Sequence, residues 1–302
     1  SSVISSTGQI TWSPTVDFVD INPGDGEGGT GLKRFSLELL CFKPNYIYRF
    51  RTSGVDPDPL IKIGTRSNES IIEGKRGLYF HHDTGFYRYS GGYPTEISRP
   101  INDFITAIPY SQYESIIGWN DADHINWSVG NLSIAETKET KTWKNVVLRY
   151  TESSDIWTIY SYANEIRRGI TYTRGTTLSR LVGTDHGVVA TIDSGTTDLG
   201  EPIKYRIRTP WYDWGSIATR KDIQEFIGVC EKAQGADVMY LTDENLEWQN
   251  VGQLKQLITY FRNQRIRFHR IRFQVTGVTR NEATIFRGFE ILKGIDEGQI
   301  DD

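Results

Sequence analysis

Hydrophobic and polar residues alternate in short runs along most of the chain, which is the pattern of strands with one buried face. The clearest case is residues 77–97, where the aromatic runs 78–81 and 86–89 flank a short turn that ends at Gly85. Aromatic residues suit a pleated surface, and glycine tolerates the positive φ angle that such turns need. This segment predicts a β-hairpin, followed at once by a second turn and a further strand.

Hairpins of this kind recur from about residue 9 to residue 210. Grouped in fours, their strands form about four units of roughly 45 residues, which is the length and strand number of a β-propeller blade. A β-sandwich explains the same rhythm. Residues 55–59 contain two prolines and are predicted to form a rigid turn rather than a central strand. The four predicted units span residues 9–51, 60–98, 114–160 and 166–209.

Longer strands are predicted beyond residue 201. Near His269 and Arg270 the apolar positions change parity, which predicts a bulge or a break in the strand. We therefore expect an all-β protein with propeller blades over residues 1–200 and an antiparallel, platform-like β-sandwich over 201–294. Residues 295–302 form a polar tail.

Composition agrees with a folded β protein. The chain has 302 residues, 12% of them aromatic, with 29 glycines and a net charge of −4. This charge argues against a protein that grips the nucleic-acid backbone, although it allows DNA to pass a surface without binding. The two cysteines are far apart in sequence, so a disulfide framework is not expected.

Targeting segments are not apparent in the sequence. No apolar run approaches transmembrane length, so we expect no transmembrane helix, and we expect no signal peptide. It begins at Ser1 in what already resembles domain sequence, so we expect a fragment or a processed product with an upstream portion missing.

Candidate catalytic and metal-binding patterns are weak. His81, His82 and Asp83 are adjacent, but neighbouring side chains on a strand point to opposite faces and do not readily share one ion. Residues 153–157 contain letters of a sialidase Asp-box without its glycine or spacing, and neither paired carboxylates nor a nucleophile elbow is visible. We predict no catalytic residue, no cofactor and no metal, and hence a protein that is not an enzyme.

One dense basic run stands out near the C-terminal end. It fits a solvated strand face, an interface in which arginine pairs with acidic groups of a subunit or partner, or, as a third option, a nucleic-acid contact. The candidate interface residues are Arg262, Arg265, Arg267, Arg270 and Arg272.

Structural motifs are distributed along residues 60–293. They are residues 63–65, 70–72, 77–80, 85–89, 97–98, 182–187, 197–203, 209–211, 270–273 and 286–290. Through these motifs the chain resembles the tail-nozzle, or tail-stabilisation, proteins of short-tailed bacteriophages, also called tail hub or tail tube protein B.

The resemblance implies a non-enzymatic virion protein, made in the host cytoplasm, with a β-propeller and a platform-like β-domain. It implies a homohexameric ring below the portal and adaptor proteins, with tail fibres or spikes as further partners, no membrane contact, and a channel through which DNA passes unbound. Four visible blades are few for a closed propeller. Either upstream sequence supplies further blades or the chain is a shortened relative.

A carbohydrate-binding propeller module for receptor recognition is the alternative, and a glycosidase is a third option. Sugar rings would stack on exposed aromatic side chains, for which the candidates are Trp119, Trp127, Trp143 and Trp157. The same residues also fit a hydrophobic core or cross-strand pairs.

Overall fold

In a computed structural model, 58% of the chain is strand and 7% is helix, arranged as small antiparallel sheets. The predicted all-β class is therefore confirmed. The chain divides into two compact units, Ser1–Asp193 and Ser194–Asp302. The structure describes residues 3–4, 10–11, 21, 24, 26–51, 54–136, 139–192, 194–198, 200–232, 235–255, 257–279 and 285–296.

The described part of the first unit contains a short hairpin and four consecutive sheets, in each of which neighbouring strands are also neighbours in sequence. The hairpin pairs β1 (Val3–Ile4) with β2 (Ile10–Thr11). The first sheet comprises β3 (Gly31–Phe35), β4 (Glu38–Phe42), β5 (Ile47–Arg51) and β6 (Gly54–Ile61). The second comprises β7 (Ile72–Gly74), β8 (Gly77–His82), β9 (Gly85–Tyr89) and β10 (Thr95–Glu96). The third comprises β11 (Ile117–Asp121), β12 (His124–Glu136), β13 (Glu139–Thr151) and β14 (Ile156–Ser161), and the fourth β15 (Ile166–Arg174), β16 (Thr177–Thr184) and β17 (Val189–Thr191).

The predicted hairpin at residues 77–97 is confirmed as β8–β9–β10. Its turn glycine, Gly85, has a φ angle of 146°, and a Cβ atom there would lie 2.3 Å from Ser98 Oγ. Alternation then separates the apolar side chains of β8, so that Leu78 and Phe80 share one face and Tyr79 the other.

These two faces of the second sheet belong to different hydrophobic clusters. Leu78 and Phe80 pack with residues of the first sheet, and the rings of Phe42 and Phe80 lie 5.3 Å apart. Tyr79 and Phe86 pack with residues of the third sheet, including Trp127. The first three sheets are therefore stacked face to face in chain order.

The stack continues to the fourth sheet. Trp119 and Val147 of the third sheet share a cluster with Ile166 and Val182 of the fourth. Gly169 allows this close approach, because a Cβ atom at that position would lie 2.4 Å from the indole of Trp119. The second and third sheets thus bury apolar side chains on both faces.

Helices are short in the described part of the first unit. A 3₁₀ turn (Arg99–Ile101) runs into α1 (Asn102–Thr106). Two further 3₁₀ turns are Asn68–Ser70 and Tyr110–Ser115.

The predicted turn at residues 55–59 is wrong. These residues belong to β6, the edge strand of the first sheet. An edge strand tolerates proline because one side of its backbone needs no partner in the sheet, and the pairing of β5 with β6 is irregular at two places.

In the second unit, the described residues form a small hairpin and two larger sheets. The hairpin pairs β18 (Thr197–Asp198) with β19 (Glu201–Pro202), so the expected domain boundary at residues 200–201 falls inside it. The fifth sheet has the order β20 (Lys204–Arg208), β26 (Ile271–Val278), β22 (Ala236–Thr242) and β23 (Gln249–Leu254). In the sixth sheet, β24 (Ile258–Phe261), β25 (Ile266–Phe268) and β27 (Ile285–Asp296) all pair with β21 (Lys221–Glu231).

The fifth and sixth sheets share one core. Phe226 of β21 and Phe273 of β26 have ring centroids 5.3 Å apart, and both belong to a single apolar cluster drawn from both sheets. The predicted break near residues 269–270 is confirmed, since β25 ends at Phe268 and β26 begins at Ile271 in the other sheet. Strand β27 includes residues 295–296, the start of the expected polar tail, and residues 297–302 lie outside the described part of the chain.

Candidate partner-binding surface

The structure divides the predicted arginine run between the two sheets of the second unit. Arg262 and Arg267 lie beside the carboxylates of β21 in the sixth sheet, and Arg265 between them is exposed. Arg270 and Arg272 lie at the fifth sheet, because the chain crosses between the sheets at residues 269–270. The five arginines therefore do not form one surface.

Two arginines on the sixth sheet are paired with carboxylates of their own unit. Arg262 Nε lies 2.8 Å from Glu225 Oε1, and Arg267 Nε lies 4.0 Å from Asp222 Oδ2. Both arginines are exposed, and exposed ion pairs of this kind contribute only about 0–1 kcal/mol. This part of the run matches the solvated strand face considered from the sequence.

The arginines at the fifth sheet belong to an alternating stack with tryptophans, which we call the arginine–tryptophan ladder. Its members in spatial order are Arg270, Trp211, Arg272, Trp248 and Arg208. The successive distances from guanidinium Cζ to ring centroid are 5.5, 4.9, 5.2 and 5.1 Å. Each lies within the range in which an aromatic ring attracts a cation.

Backbone pairing places Trp211 in this ladder. Thr209 N–H donates to the carbonyl of Phe273 at 3.0 Å, while Tyr212 and Ile271 exchange two backbone hydrogen bonds of 2.8 and 2.9 Å. The segment after β20 therefore continues alongside β26, and the indole of Trp211 reaches Arg272 of that strand and Arg270, which precedes it.

The ladder presents planar cations on the outer side of the fifth sheet. Arg208 Nε donates to Gln274 Oε1 at 2.5 Å, and the pairing of β20 with β26 places both residues on one face. The opposite face of β26 carries Phe273 and Val275 into the core. Guanidinium groups pair with carboxylates through planar, bidentate hydrogen bonds, so a surface that carries three of them suits planar anionic groups.

Sequence reasoning identified only part of this surface. The run contributed Arg270 and Arg272, and residues 209–211 belonged to a recognised motif. Arg208 and Trp248 were missed. The polar segment around Trp248 carries no local signal, because its role depends on pairing between distant strands.

A different polar site lies between the second and third sheets. Glu152 is buried and accepts hydrogen bonds from the backbone N–H groups of Lys75 (3.0 Å) and Arg76 (2.9 Å) and from the hydroxyl of Tyr79 (2.7 Å). Burial, together with the hydrogen bond to this carboxylate, raises the pKa of Tyr79. The carboxylate therefore fastens the β7–β8 hairpin to the third sheet.

An analogous contact joins the third and fourth sheets. Asp121 is fully buried and accepts a hydrogen bond of 2.6 Å from Arg180 Nε. Glu152 and Asp121 are the kind of buried carboxylates that a glycosidase would need, but each is engaged by groups that hold neighbouring sheets together.

His81 and His82 do not direct their rings toward one common metal position. Burial lowers the pKa of His81 to about 3, and its ring packs edge-on against Phe86 and Tyr113. His82 bonds Thr84 through Nδ1 at 2.9 Å, and Asp83 pairs with an arginine at 2.9 Å. Among the described residues no group of three or more histidine, cysteine, aspartate or glutamate side chains is placed to hold a metal ion.

The tryptophans proposed for sugar stacking lie in or against the core. Trp119 and Trp127 are buried, and Trp127 Nε1 donates to the carbonyl of Ser70 at 3.0 Å. Trp143 and Trp157 are partly buried and pack on the cluster between the second and third sheets. These four tryptophans therefore do not form the exposed aromatic surface on which the sugar-binding alternative depends.

Comparison with the models of known protein families and with curated proteins finds no match for this sequence. Within the described residues, no helix combines the length and the apolar character needed to cross a membrane.

Proposed function

We propose that this chain is a non-enzymatic structural protein of a phage tail, forming part of a ring-shaped nozzle below the portal and adaptor through which DNA passes. The observation that carries the proposal is the order of its parts. Four small antiparallel sheets stack in chain order, and a second β unit built of two sheets follows them. This is the order that the resemblance to tail-nozzle proteins implies.

In this proposal the four stacked sheets are propeller blades and the second unit is a platform-like β-sandwich. Each pair of successive blades is held by an apolar cluster, and the later junctions add buried carboxylates such as Glu152 and Asp121. Both carboxylate oxygens of Glu152 accept hydrogen bonds, and a buried polar group that is bonded in this way favours one unique packing. Such a scaffold resists deformation, which is the mechanical property that a conduit for DNA requires.

Charge supports the passive role toward DNA. The chain has a net charge of −4, and Arg262 and Arg267 on the sixth sheet are paired with neighbouring carboxylates. Like charge on the channel wall keeps DNA from adhering while it moves. The arginine–tryptophan ladder is then a contact for an acidic segment of an adjoining tail protein, such as the adaptor or a fibre.

Particle composition tests the virion assignment. Tailed particles of the phage that encodes this chain are purified on density gradients and digested for mass spectrometry, beside particles treated to detach their tails. We expect peptides of the chain in several copies per intact particle and their loss with the tail. Absence from purified particles, with abundant chain in the soluble lysate, would overturn the proposal.

A binding measurement separates the proposal from the receptor-binding alternative. We expect no glycan-array signal for the full chain, because two of the four candidate tryptophans are buried and the other two are partly buried against the core. Reproducible binding of the folded chain to one class of glycan would favour the carbohydrate-binding alternative.

A further inference from the structure

Each of the two outermost sheets of the stack carries exposed apolar side chains on part of its outer face. On the fourth sheet, Val182 and Ala190 face the third sheet, so that alternation turns their neighbours outward. The outward residues include Ile170, Tyr172 and Val189, which are 60%, 43% and 71% exposed. This sheet thus carries apolar side chains on both faces, as the second and third sheets do.

These outward residues form one patch rather than scattered positions. Ile170 is paired directly with Leu181, and Leu181 with Thr191, across three adjacent strands. Val189 lies opposite Gly183, which is two residues from Leu181 in β16, so Val189 lies on the same face as Leu181. Single exposed apolar residues are ordinary, whereas a contiguous patch on one sheet face marks a contact. We call Ile170, Tyr172, Leu181 and Val189 the fourth-sheet patch.

The first sheet has a matching outer face at the other end of the stack. Leu40 and Phe42 face the second sheet, so Leu39 and Cys41 turn outward. Cys41 and its strand partner Tyr48 are buried, so among the described side chains the exposed part of this face lies around Leu32 and Leu39. Leu32 and Leu39 are 61% and 43% exposed, and the exposed Arg34 lies directly opposite Leu39. We call Leu32, Arg34 and Leu39 the first-sheet patch.

We propose that the fourth-sheet patch of one copy packs on the first-sheet patch of a second copy, so that the stack of sheets continues from chain to chain. The occupant follows from how this chain covers such faces elsewhere. At three successive junctions an apolar sheet face is covered by another of the chain's own sheets. The two patches are also complementary, since each offers aliphatic side chains and Arg34 suits the face of the Tyr172 ring.

Such a contact is head-to-tail, because it uses two different patches. Head-to-tail contacts close into a ring when the rotation between copies allows it and otherwise form an open fibre. The inference rests on the proposed function in one respect, because it gives the subunit contact of the proposed ring. It adds the two surfaces that the ring would use.

Placing carboxylates in each apolar patch tests the contact, because a charged side chain is costly to bury there. One variant carries Leu32→Asp and Leu39→Asp, and the other carries Ile170→Asp and Val189→Asp. Leu246→Asp, at an exposed leucine of the second unit, is the matched control. Assembly is measured by sedimentation velocity and native mass spectrometry, with circular dichroism and the thermal midpoint confirming that each variant is folded.

We expect each double variant alone to be monomeric and the control to assemble like the unchanged chain. An equimolar mixture of the two double variants should form a 1:1 dimer and nothing larger, because one intact patch remains on each partner. A symmetric contact through either patch alone cannot yield this result. If a variant fails to fold, disulfide capture between copies of a chain with Leu39→Cys and Ile170→Cys replaces it, with Leu246→Cys as control.

The outcomes separate this inference from the proposed function. If the unchanged chain assembles and both double variants still assemble, the patches are not the contact, and the proposed function stands. The same holds if capture gives no more linked dimer than the control. If the unchanged chain stays monomeric at every concentration, both proposals fail.

Discussion

Glu152 provides the sharpest test of how the second and third sheets are held together. Replacement by alanine removes one acceptor from three donors at once, the backbone N–H groups of Lys75 and Arg76 and the hydroxyl of Tyr79. A buried donor left without an acceptor costs about 1–3 kcal/mol. Tyr79 is fully buried, whereas the two backbone groups are only partly so. We therefore expect Glu152→Ala to lower the free energy of unfolding of the first unit by about 3–5 kcal/mol.

Two further variants separate the contributions of the individual hydrogen bonds to this loss of stability. Glu152→Gln keeps one acceptor oxygen but turns an amide donor toward a backbone donor, so we expect an intermediate loss of about 1–2 kcal/mol. Tyr79→Phe removes only the hydroxyl and should cost about 1 kcal/mol. In the double variant with Glu152→Ala the two effects should not add, because the same hydrogen bond is lost in both.

Urea titration followed by tryptophan fluorescence and by circular dichroism measures these differences. The control is Glu114→Ala, which removes an exposed carboxylate and should change stability by no more than about 0.5 kcal/mol. A loss below about 1 kcal/mol for Glu152→Ala, close to that of the control, would refute the view that this carboxylate fastens the two sheets.

Three further predictions concern packing, pH and the ladder. Gly169→Ala should destabilise the first unit by about 1–3 kcal/mol in thermal melts, because its Cβ atom would press on the indole of Trp119, whereas Gly183→Ala on the same sheet has open space and should change little. Burial lowers the pKa of His81 to about 3. Below about pH 6.5 the unfolded state therefore binds a proton that the folded state does not bind, and the free energy of unfolding decreases as the pH is lowered. Lowering the pH from 7 to 5 should therefore cost the unchanged chain about 2 kcal/mol more than His81→Phe in paired urea titrations, and equal slopes would contradict this. Trp211→Ala removes a ring shared by two arginines and should lower the stability of the second unit by about 1–2 kcal/mol, with no change in the first.

Local features of the fold could be predicted from the sequence because their causes are local. Turn glycines and alternating aromatics identified the hairpin around Gly85, and the change of parity identified the break before Ile271. Proline at residues 57 and 59 was misleading, because whether a strand lies at the edge or the centre of a sheet depends on its neighbours.

The candidate site could be predicted only in part, for the same reason. The sequence marks a run of arginines, but the crossing from β25 to β26 decides which of them meet the tryptophans. Glu152 carries no signal at all, since its hydrogen-bond partners are more than 70 positions away in the chain. Long-range pairing of this kind is set by the packing of sheets, which a single sequence does not reveal.

The central claim is that copies of this chain build a ring around a channel. Native mass spectrometry of the purified full chain, combined with negative-stain images of the same sample, tests it most directly. We predict one closed oligomer of fixed copy number, six by the resemblance, with a central opening in axial views. A monomer at every concentration, or particles without a channel, would contradict the claim.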